Sequence, residues 1–384
     1  MPFRGPAAAC RRQGRTDMNT ALGIRGWTAV LACLLTLVVG VPVLHLAVPE
    51  GHVLHLSGFY VSLLGKILCY AICALAMDLI WGYTGILSLG HGLFFALGGY
   101  AMGMYLMRQI GRDGQYKADL PDFMVFLNWK EFPWHWALSD SFLAQALLVV
   151  AVPGLLAFVF GWFAFRSRIK GVYFSIITQA LTYAAMLLFF RNETGFGGNN
   201  GFTDFKRLLD LPIATAGMRV VLCMISGLVL IAFFLMSRAI VHSRYGRVLQ
   251  AIRDAESRVM FTGYDPVAYK LSIWTLSAVM CGVAGALYVP QVGIINPGEM
   301  SPAAGIEIAI WAAVGGRGTL IGPIVGAFFV NGAKSWFTVA FPEYWLYFLG
   351  ALFIAVTLFL PHGLMGLYRR LRPVRAGAPE EPGP

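Results

Sequence analysis

Phe142–Phe165 reads FLAQALLVVAVPGLLAFVFGWFAF and contains no charged side chain. A helix rises 1.5 Å per residue, so about twenty such residues cross the ~30 Å hydrocarbon core of a bilayer. Only a helix or a closed barrel satisfies its own backbone polar groups there. Segments of the same kind lie on both sides of this run. Before it come Trp27–Val48, Phe59–Ile80 and Ile86–Met107, and after it Val172–Phe190, Met218–Met236 and Lys270–Val289. Ile306–Val314 with its Gly-rich continuation, Leu320–Phe337 and Trp345–Leu360 complete the series. The chain therefore reads as an all-α polytopic membrane protein with about ten transmembrane helices. The eighth segment is short as it stands and suggests a broken or re-entrant helix.

Composition agrees with that class. Hydrophobic residues make up 58% of the chain and charged residues only 12%, too few to clothe a soluble domain of this length. The net charge of +10 does not point to nucleic acid, because Lys and Arg gather at the ends of apolar segments. Five of the six cysteines (Cys33, Cys69, Cys73, Cys223 and Cys281, but not Cys10) fall inside apolar segments and read as packing residues. No His or Cys cluster joins Cys69 and Cys73, so no metal site is expected. Arg4, Arg11, Arg12 and Arg15 precede Trp27–Val48 as in a signal peptide. The apolar run is too long for one and no small-x-small site follows, so an uncleaved first span is expected, with Met18 as an alternative start.

Charge asymmetry orients the chain. The basic loops are the N-terminal tail, Arg166–Lys170, Arg238–Tyr269, Arg317, and the tail with Arg369, Arg370, Arg372 and Arg375. Pro49–Leu56, Gln291–Ala304 and Thr338–Tyr344 carry no Lys or Arg. The expected organisation is a cytoplasmic tail over 1–26, a permease-like membrane domain over 27–368, and a cytoplasmic tail over 369–384. The outward loop Arg108–Ser141 holds Trp129, Phe132, Trp134 and Trp136, which fits either an interfacial helix or a docking surface.

One segment is charged and helical without being a span. Residues 238–269, RAIVHSRYGRVLQAIRDAESRVMFTGYDPVAY, place Val248, Ala251, Ile252, Ala255 and Val259 on one stripe of a helical wheel. Gln250, Arg253, Asp254 and Ser257 take the other side, and Asp254 precedes Arg258 in the favourable i,i+4 order. Gly263 ends the pattern, and Asp265-Pro266 opposes an easy restart. It lies between the sixth and seventh spans and reads as a cytoplasmic handle for a soluble partner or as a solvated connector.

No catalytic constellation is present: HExxH, CxxC, GxSxG and GxxxxGK[ST] are all missing. The chain is not expected to be an enzyme or to hydrolyse ATP by a P-loop, and no cofactor is implied. Lys66, Asp78, His91, Glu307 and Lys334 are polar residues inside apolar segments, where such residues line a path or form an internal contact. Glu307 precedes the helix-breaking run AVGGRGTLIGP and reads as a path residue or as the partner of Lys66 or Lys334. His91, between Gly90 and Gly92 and close to Ser88, reads as a ligand contact or a satisfied core histidine. TGFGGNNG at 194–201 is a tight turn, with Asn199 and Asn200 at an outer gate or a docking site. Gly99 with Gly103, and Gly322 with Gly326, mark close helix approach.

Four of these stretches resemble one family. GYTGILSLGHGLFFALGGYAMGMY at 82–105, GGNNG at 197–201, IEIAIWAAVGGRGTLIGPIVGA at 306–327 and the charged loop ending at Gly263 are similar to the branched-chain amino acid ABC transporter permeases. PDFMVFLNWKEFPWHW, GGNNGFTDFK and GIINP most resemble the second, longer permease of the urea-transporting branch. The resemblance implies an ATP-driven importer in the bacterial inner membrane, carrying urea or a related short amide, with branched-chain amino acids as the alternative. It implies a second homologous permease, two cytoplasmic ATP-binding subunits and a periplasmic or extracellular substrate-binding protein as partners, in contact with lipid and not with nucleic acid. The charged loop would be the coupling helix, with Gly246, Ile252, Arg253, Asp254, Glu256 and Gly263 facing or shaping the ATPase contact. It departs from the importer pattern Glu-Ala-Ala-x-x-x-Gly: Ser257, Arg258 and Val259 occupy the triplet. Ser88, His91, Asn199, Asn200 and Glu307 would line the path or its gate. An ATP-independent channel or secondary carrier is the reading from another class, expected to show an internal repeat or a paired ionisable relay.

Overall fold

The computed structural model describes residues 24–49, 52, 55–359 and 363–371, so most of both expected tails lies outside the described residues. The chain opens with α1 (Ile24–Leu46), α2 (Gly58–Thr84) and α3 (His91–Arg108). A long connection carrying the short α4 (Asp122–Phe126) leads to α5 (Phe142–Arg166) and α6 (Val172–Phe189). Next come α7 (Ala216–His242), α8 (Arg244–Phe261) and α9 (Pro266–Val292). The chain continues with α10 (Pro302–Gly315), α11 (Ile321–Ala340), α12 (Trp345–Phe359) and α13 (Gly363–Leu371). Helices thus stand at the predicted apolar segments, and five of them, α2, α5, α6, α7 and α9, are long and apolar enough to cross a membrane.

Those five divide by burial. In the most apolar window of α2, 78% of residues are buried inside the protein, against 22% in α5. Leu143, Leu155 and Phe163 on α5 stand largely exposed, a surface that water would penalise and lipid would not. α2 and α9 therefore form the centre, with α5 and α6 on the periphery. α9 packs against α3 by backbone approach: a Cβ at Gly98 would run into the Gly282 backbone, and one at Gly285 into the Phe95 carbonyl. The predicted small pair Gly99 and Gly103 instead admits Val289, Ile295 and Phe202 side chains.

Two minimal sheets tie the connections. β1 (Phe202–Thr203) pairs antiparallel with β4 (Ile294–Ile295) in the register Phe202↔Ile295. This joins GGNNGFT to GIINP, two stretches far apart in sequence. β2 (Arg207–Leu208) and β3 (Leu211–Pro212) make a hairpin with both turn residues, Leu209 and Asp210, at positive φ, as a two-residue turn of matching twist requires.

Three sequence expectations change. Ile86–Met107 is not one helix: α2 ends at Gly85 with φ 75°, residues 86–90 are non-helical, and α3 starts only at His91. The aromatic loop at 108–141, read as an interfacial helix or a docking surface, holds only the five-residue α4 and single 3₁₀ turns. Asp265-Pro266 does not oppose helix formation but starts it: Asp265 accepts from Val267 N–H at 3.0 Å, and Pro266 takes the first turn, where its missing N–H costs nothing.

Candidate functional site

Two helix breaks meet inside the bundle. In the first, the non-helical residues 86–90 borrow partners from α6: Leu89 N–H donates to Thr178 Oγ1 at 3.2 Å, and Ser175 Oγ donates to the Leu87 carbonyl at 2.8 Å. Gly90 N–H donates to Ser88 Oγ at 3.1 Å. In the second, α9 closes at Gly293, with φ 80°, and the chain passes through β4 and a 3₁₀ turn, Pro297–Met300. Ser301 then caps α10. Glycine lets the breaks touch: a Cβ on Gly305 would strike the Leu89 carbonyl, and one on Gly92 would lie 3.0 Å from the Glu299 carbonyl.

A cleft of about 30 Å³ lies at this crossing, room for roughly one water. Tyr70, Phe95, Glu299, Glu307 and Trp311 are among its lining residues. Lys334 Nζ donates to both Glu307 carboxylate oxygens, at 2.8 and 2.9 Å. Tyr288 Oη donates to Glu299 Oε1 at 3.2 Å. Lys66 Nζ lies 5.7 Å from the Tyr70 ring centre and 5.9 Å from that of Tyr288.

The sequence-named path residues divide among three places. Glu307 lines the cleft and has the structural partner Lys334. Ser88 and His91 are buried behind it, where Ser88 holds the break and His91 Nε2 meets Ser277 Oγ at 3.2 Å. Asn199 and Asn200 are exposed in a tight turn flanked by Gly195, Gly197 and Gly201 at positive φ, and neither lines the cleft. Sequence reading missed Glu299, Tyr70, Tyr288 and Trp311. The available signal was Glu299 itself, the lone acid of a 291–304 connection read only for its missing Lys and Arg.

At the C-terminal end of α2 lies the α8 junction. The buried residues of α8 are Gly246, Leu249, Ile252 and Val259; of the expected stripe Ile252 and Val259 are buried, Val248 and Ala255 are half-buried and Ala251 is exposed. Ala255 has φ −159° and ψ 74°, so two helical pieces meet there, and Gly246, Leu249 and Ile252, three residues apart, share one face of the first piece. Gly246 sits where a Cβ would strike the Val241 carbonyl, and Gly263, with φ 85°, follows the helix end. Asp254 pairs with neighbouring Arg253 at 2.9 Å rather than with Arg258. Arg253 Nη1 also donates to the Gly82 carbonyl at 2.8 Å, which ties α8 to the end of α2.

The same end of α2 holds the turn between α10 and α11. Buried Asp78 accepts from Gly318 N–H at 2.5 Å and from Leu320 N–H at 3.0 Å. Tyr83 Oη donates to the Gly318 carbonyl at 3.1 Å, and the Arg317 guanidinium lies 5.4 Å from the Trp81 ring centre. Leu320 has φ 58°, a left-handed backbone that a branched residue adopts only when held. Glu256 bridges Lys170, at 2.7 Å, and Lys270, at 2.5 Å, fastening α8 to the α5–α6 loop and to α9. Burial pushes the Glu256 carboxyl up, but the two lysines outweigh it and hold it below the usual glutamate range.

Among the described residues no group of three His, Cys, Asp or Glu could hold a metal, and Cys69, Cys73, Cys223 and Cys281 are free and buried.

Comparison with known proteins brings these features under one heading. The family model described as branched-chain amino acid transport system, permease component, matches residues 59–357. The permease protein LivM of a high-affinity branched-chain amino acid transport system in Escherichia coli K12 is 22% identical over 331 residues, 80% of this chain and 70% of that protein. LivH of the corresponding system in Salmonella typhimurium is 23% identical over 315 residues, 77% of this chain and 91% of its own. The autoinducer 2 import permease LsrC of an Enterobacter species is 25% identical over 232 residues, 58% of this chain and 65% of its own. No solved structure matches.

Proposed function

The chain belongs to the family of branched-chain amino acid transport permeases and is a multi-pass protein of the bacterial inner membrane, and from that premise we propose that it forms one half of the translocation path of an ATP-driven importer. A second related permease, two ATP-binding subunits and a substrate-binding protein complete the assembly in this reading. The missing P-loop supports an external motor, and α8 supplies the surface it would push. Charge asymmetry sets α8, the 316–320 turn and both termini on the cytoplasmic side, with the 194–201 turn outside.

The cargo in this reading is a branched-chain amino acid or a comparably small zwitterion. The observation that carries it is the cleft, where Glu299 and Glu307 stand among tyrosine, phenylalanine and tryptophan rings, with Lys334 bonded to Glu307 and Lys66 beside the Tyr70 ring. Such a lining suits a solute with two charges and an apolar side chain. Neutral urea offers no charge to meet it, and two of the three stretches whose resemblance suggested urea, GGNNGFTDFK and GIINP, meet in the β1–β4 pairing instead.

Uptake of labelled leucine and of labelled urea into vesicles holding the whole complex and its binding protein tests this. Leucine uptake that stops without ATP is expected. Uptake of urea alone would replace the cargo, and flux that continues unchanged without ATP would make the chain a channel or carrier.

A further inference from the structure

The four cleft charges are not equivalent. Glu307 and Lys334 form a closed pair with two hydrogen bonds. Lys66 and Glu299 form an open one. They carry opposite charges beside the same residue, Tyr288. Among the described residues, however, no ion pair joins either of them to an opposite charge. Tyr288 stands between, with its hydroxyl on Glu299 and its ring beside Lys66. Both charged residues are half-buried, so neither is fully hydrated nor fully neutralised by the protein. A half-desolvated charge without a partner is costly, and a ligand bringing the opposite charge offsets that cost.

We propose that Lys66 and Glu299 are the two halves of a receptor for an α-amino acid, Lys66 meeting the carboxylate and Glu299 the ammonium. This rests on the amino acid importer reading and assigns its contacts. The two charges of such a solute hang from a single carbon, so one molecule meets both residues across the Tyr288 gap. The apolar side chain then lies on the aromatic wall, where Tyr70 and Trp311 ring centres are 4.7 Å apart and Phe95 stands 6.0 Å from Tyr70. Trp311 adds a donor: its indole N–H is buried and has no acceptor in the structure. The cleft as it stands holds about one water, so the receptor forms when the 297–300 turn, which carries Glu299, draws away from Tyr288. The Glu307–Lys334 pair would keep α10 against α11 during that motion.

The test uses the complete complex in proteoliposomes with leucine-loaded binding protein. Glu299→Gln and Lys66→Met are each expected to lower the maximal rate of leucine uptake about tenfold or more. The concentration of loaded binding protein giving half-maximal ATPase stimulation should stay unchanged, which a merely misfolded subunit would not allow. The double variant should lose little more than either single one, because both residues serve one ligand. If Glu299→Gln is not recovered as a folded complex, Glu299→Asp, which keeps the charge and shortens the reach, must still slow uptake several-fold. Leucine uptake within twofold of wild type in the charge-removing variants, or in Glu299→Asp, overturns the receptor while the importer reading stands. A wild-type complex that carries urea and not leucine removes the importer reading for amino acids, and the receptor with it.

Discussion

The cleft sits beside the middle of α2 and the α8 junction at its C-terminal end, and both place carboxylates and cations in a bundle that has few of either. At the junction each acid is spoken for: Glu256 by Lys170 and Lys270, Asp78 by the N–H groups of Gly318 and Leu320. In the cleft Glu307 is equally closed by Lys334, but Glu299 has a tyrosine hydroxyl and Lys66 two aromatic rings. The same residue types thus serve as rivets in one region and as half-met charges in the other. Partner geometry, not residue identity, separates holding a helix from meeting a solute. The two regions are joined mechanically, because Arg253 of α8 and the 316–320 turn both grip the end of α2.

The largest effect that would test this contrast is at Asp78. Asp78→Ala leaves two buried N–H groups without an acceptor, costing about 2–6 kcal/mol. The melting temperature of the purified complex should fall accordingly, with Asp78→Asn between the two because an amide offers one acceptor oxygen. Glu299→Gln, by contrast, should leave the melt nearly unmoved. Equal melts for Asp78→Ala and Glu299→Gln would erase the distinction between rivet and receptor.

Glu256 gives a pH-dependent version of the same test. Its folded-state pKa is depressed, so its stabilising contribution is present above the ordinary glutamate value and is lost only as pH falls through the depressed one. The melting difference between wild type and Glu256→Gln should therefore hold constant from about pH 7 to pH 5 and shrink below about 4.5. A difference that vanished already at pH 6 would mean the lysines do not hold the carboxylate.

Arg253 probes the link between the regions. Arg253→Ala removes the hydrogen bond to the Gly82 carbonyl while leaving the buried stripe of α8 in place. It is expected to lower uptake per ATP hydrolysed about fivefold or more with normal membrane insertion. A coupling ratio equal to wild type would show that α8 does not act through α2. A cysteine at Gln250, reactive only from the cytoplasmic side, checks the orientation on which that account depends.

Much of the fold was legible because apolar length is a strong signal: every expected span has a helix at its place. Depth along the chain was harder to read. Ile86–Gly90 is as apolar as its surroundings, and the hydroxyls of Ser175 and Thr178, distant in sequence, help to make a non-helical segment tolerable there. The amphipathic loop was recognisable, with Ile252 and Val259 buried as its wheel placed them, but the wheel missed Gly246 and Leu249 and could not show the break at Ala255. For the site, Glu307 stood out by following an apolar run with a glycine-rich one after it. Glu299 did not, because it lies in a connection whose return into the bundle depends on tertiary contacts with Gly92 and Tyr288.

The smallest effect belongs to the exposed turn at 198–200. Asn199 and Asn200 touch neither the cleft nor the junction, and the turn is shaped by its glycines, so replacing both with Ala should change stability by less than about 0.5 kcal/mol. Gly201→Ala differs, because its φ of 64° and the nearby Asn296 backbone exclude a side chain. If the turn receives the binding protein, the double Asn variant should raise the concentration of loaded binding protein needed for half-maximal ATPase stimulation and leave the maximal uptake rate alone. That is the reverse of the signature expected for Lys66 and Glu299, whose loss lowers the maximal rate and spares docking. A double Asn variant that lowered the maximal rate instead would carry the translocation path out to the turn and enlarge the region that meets the solute.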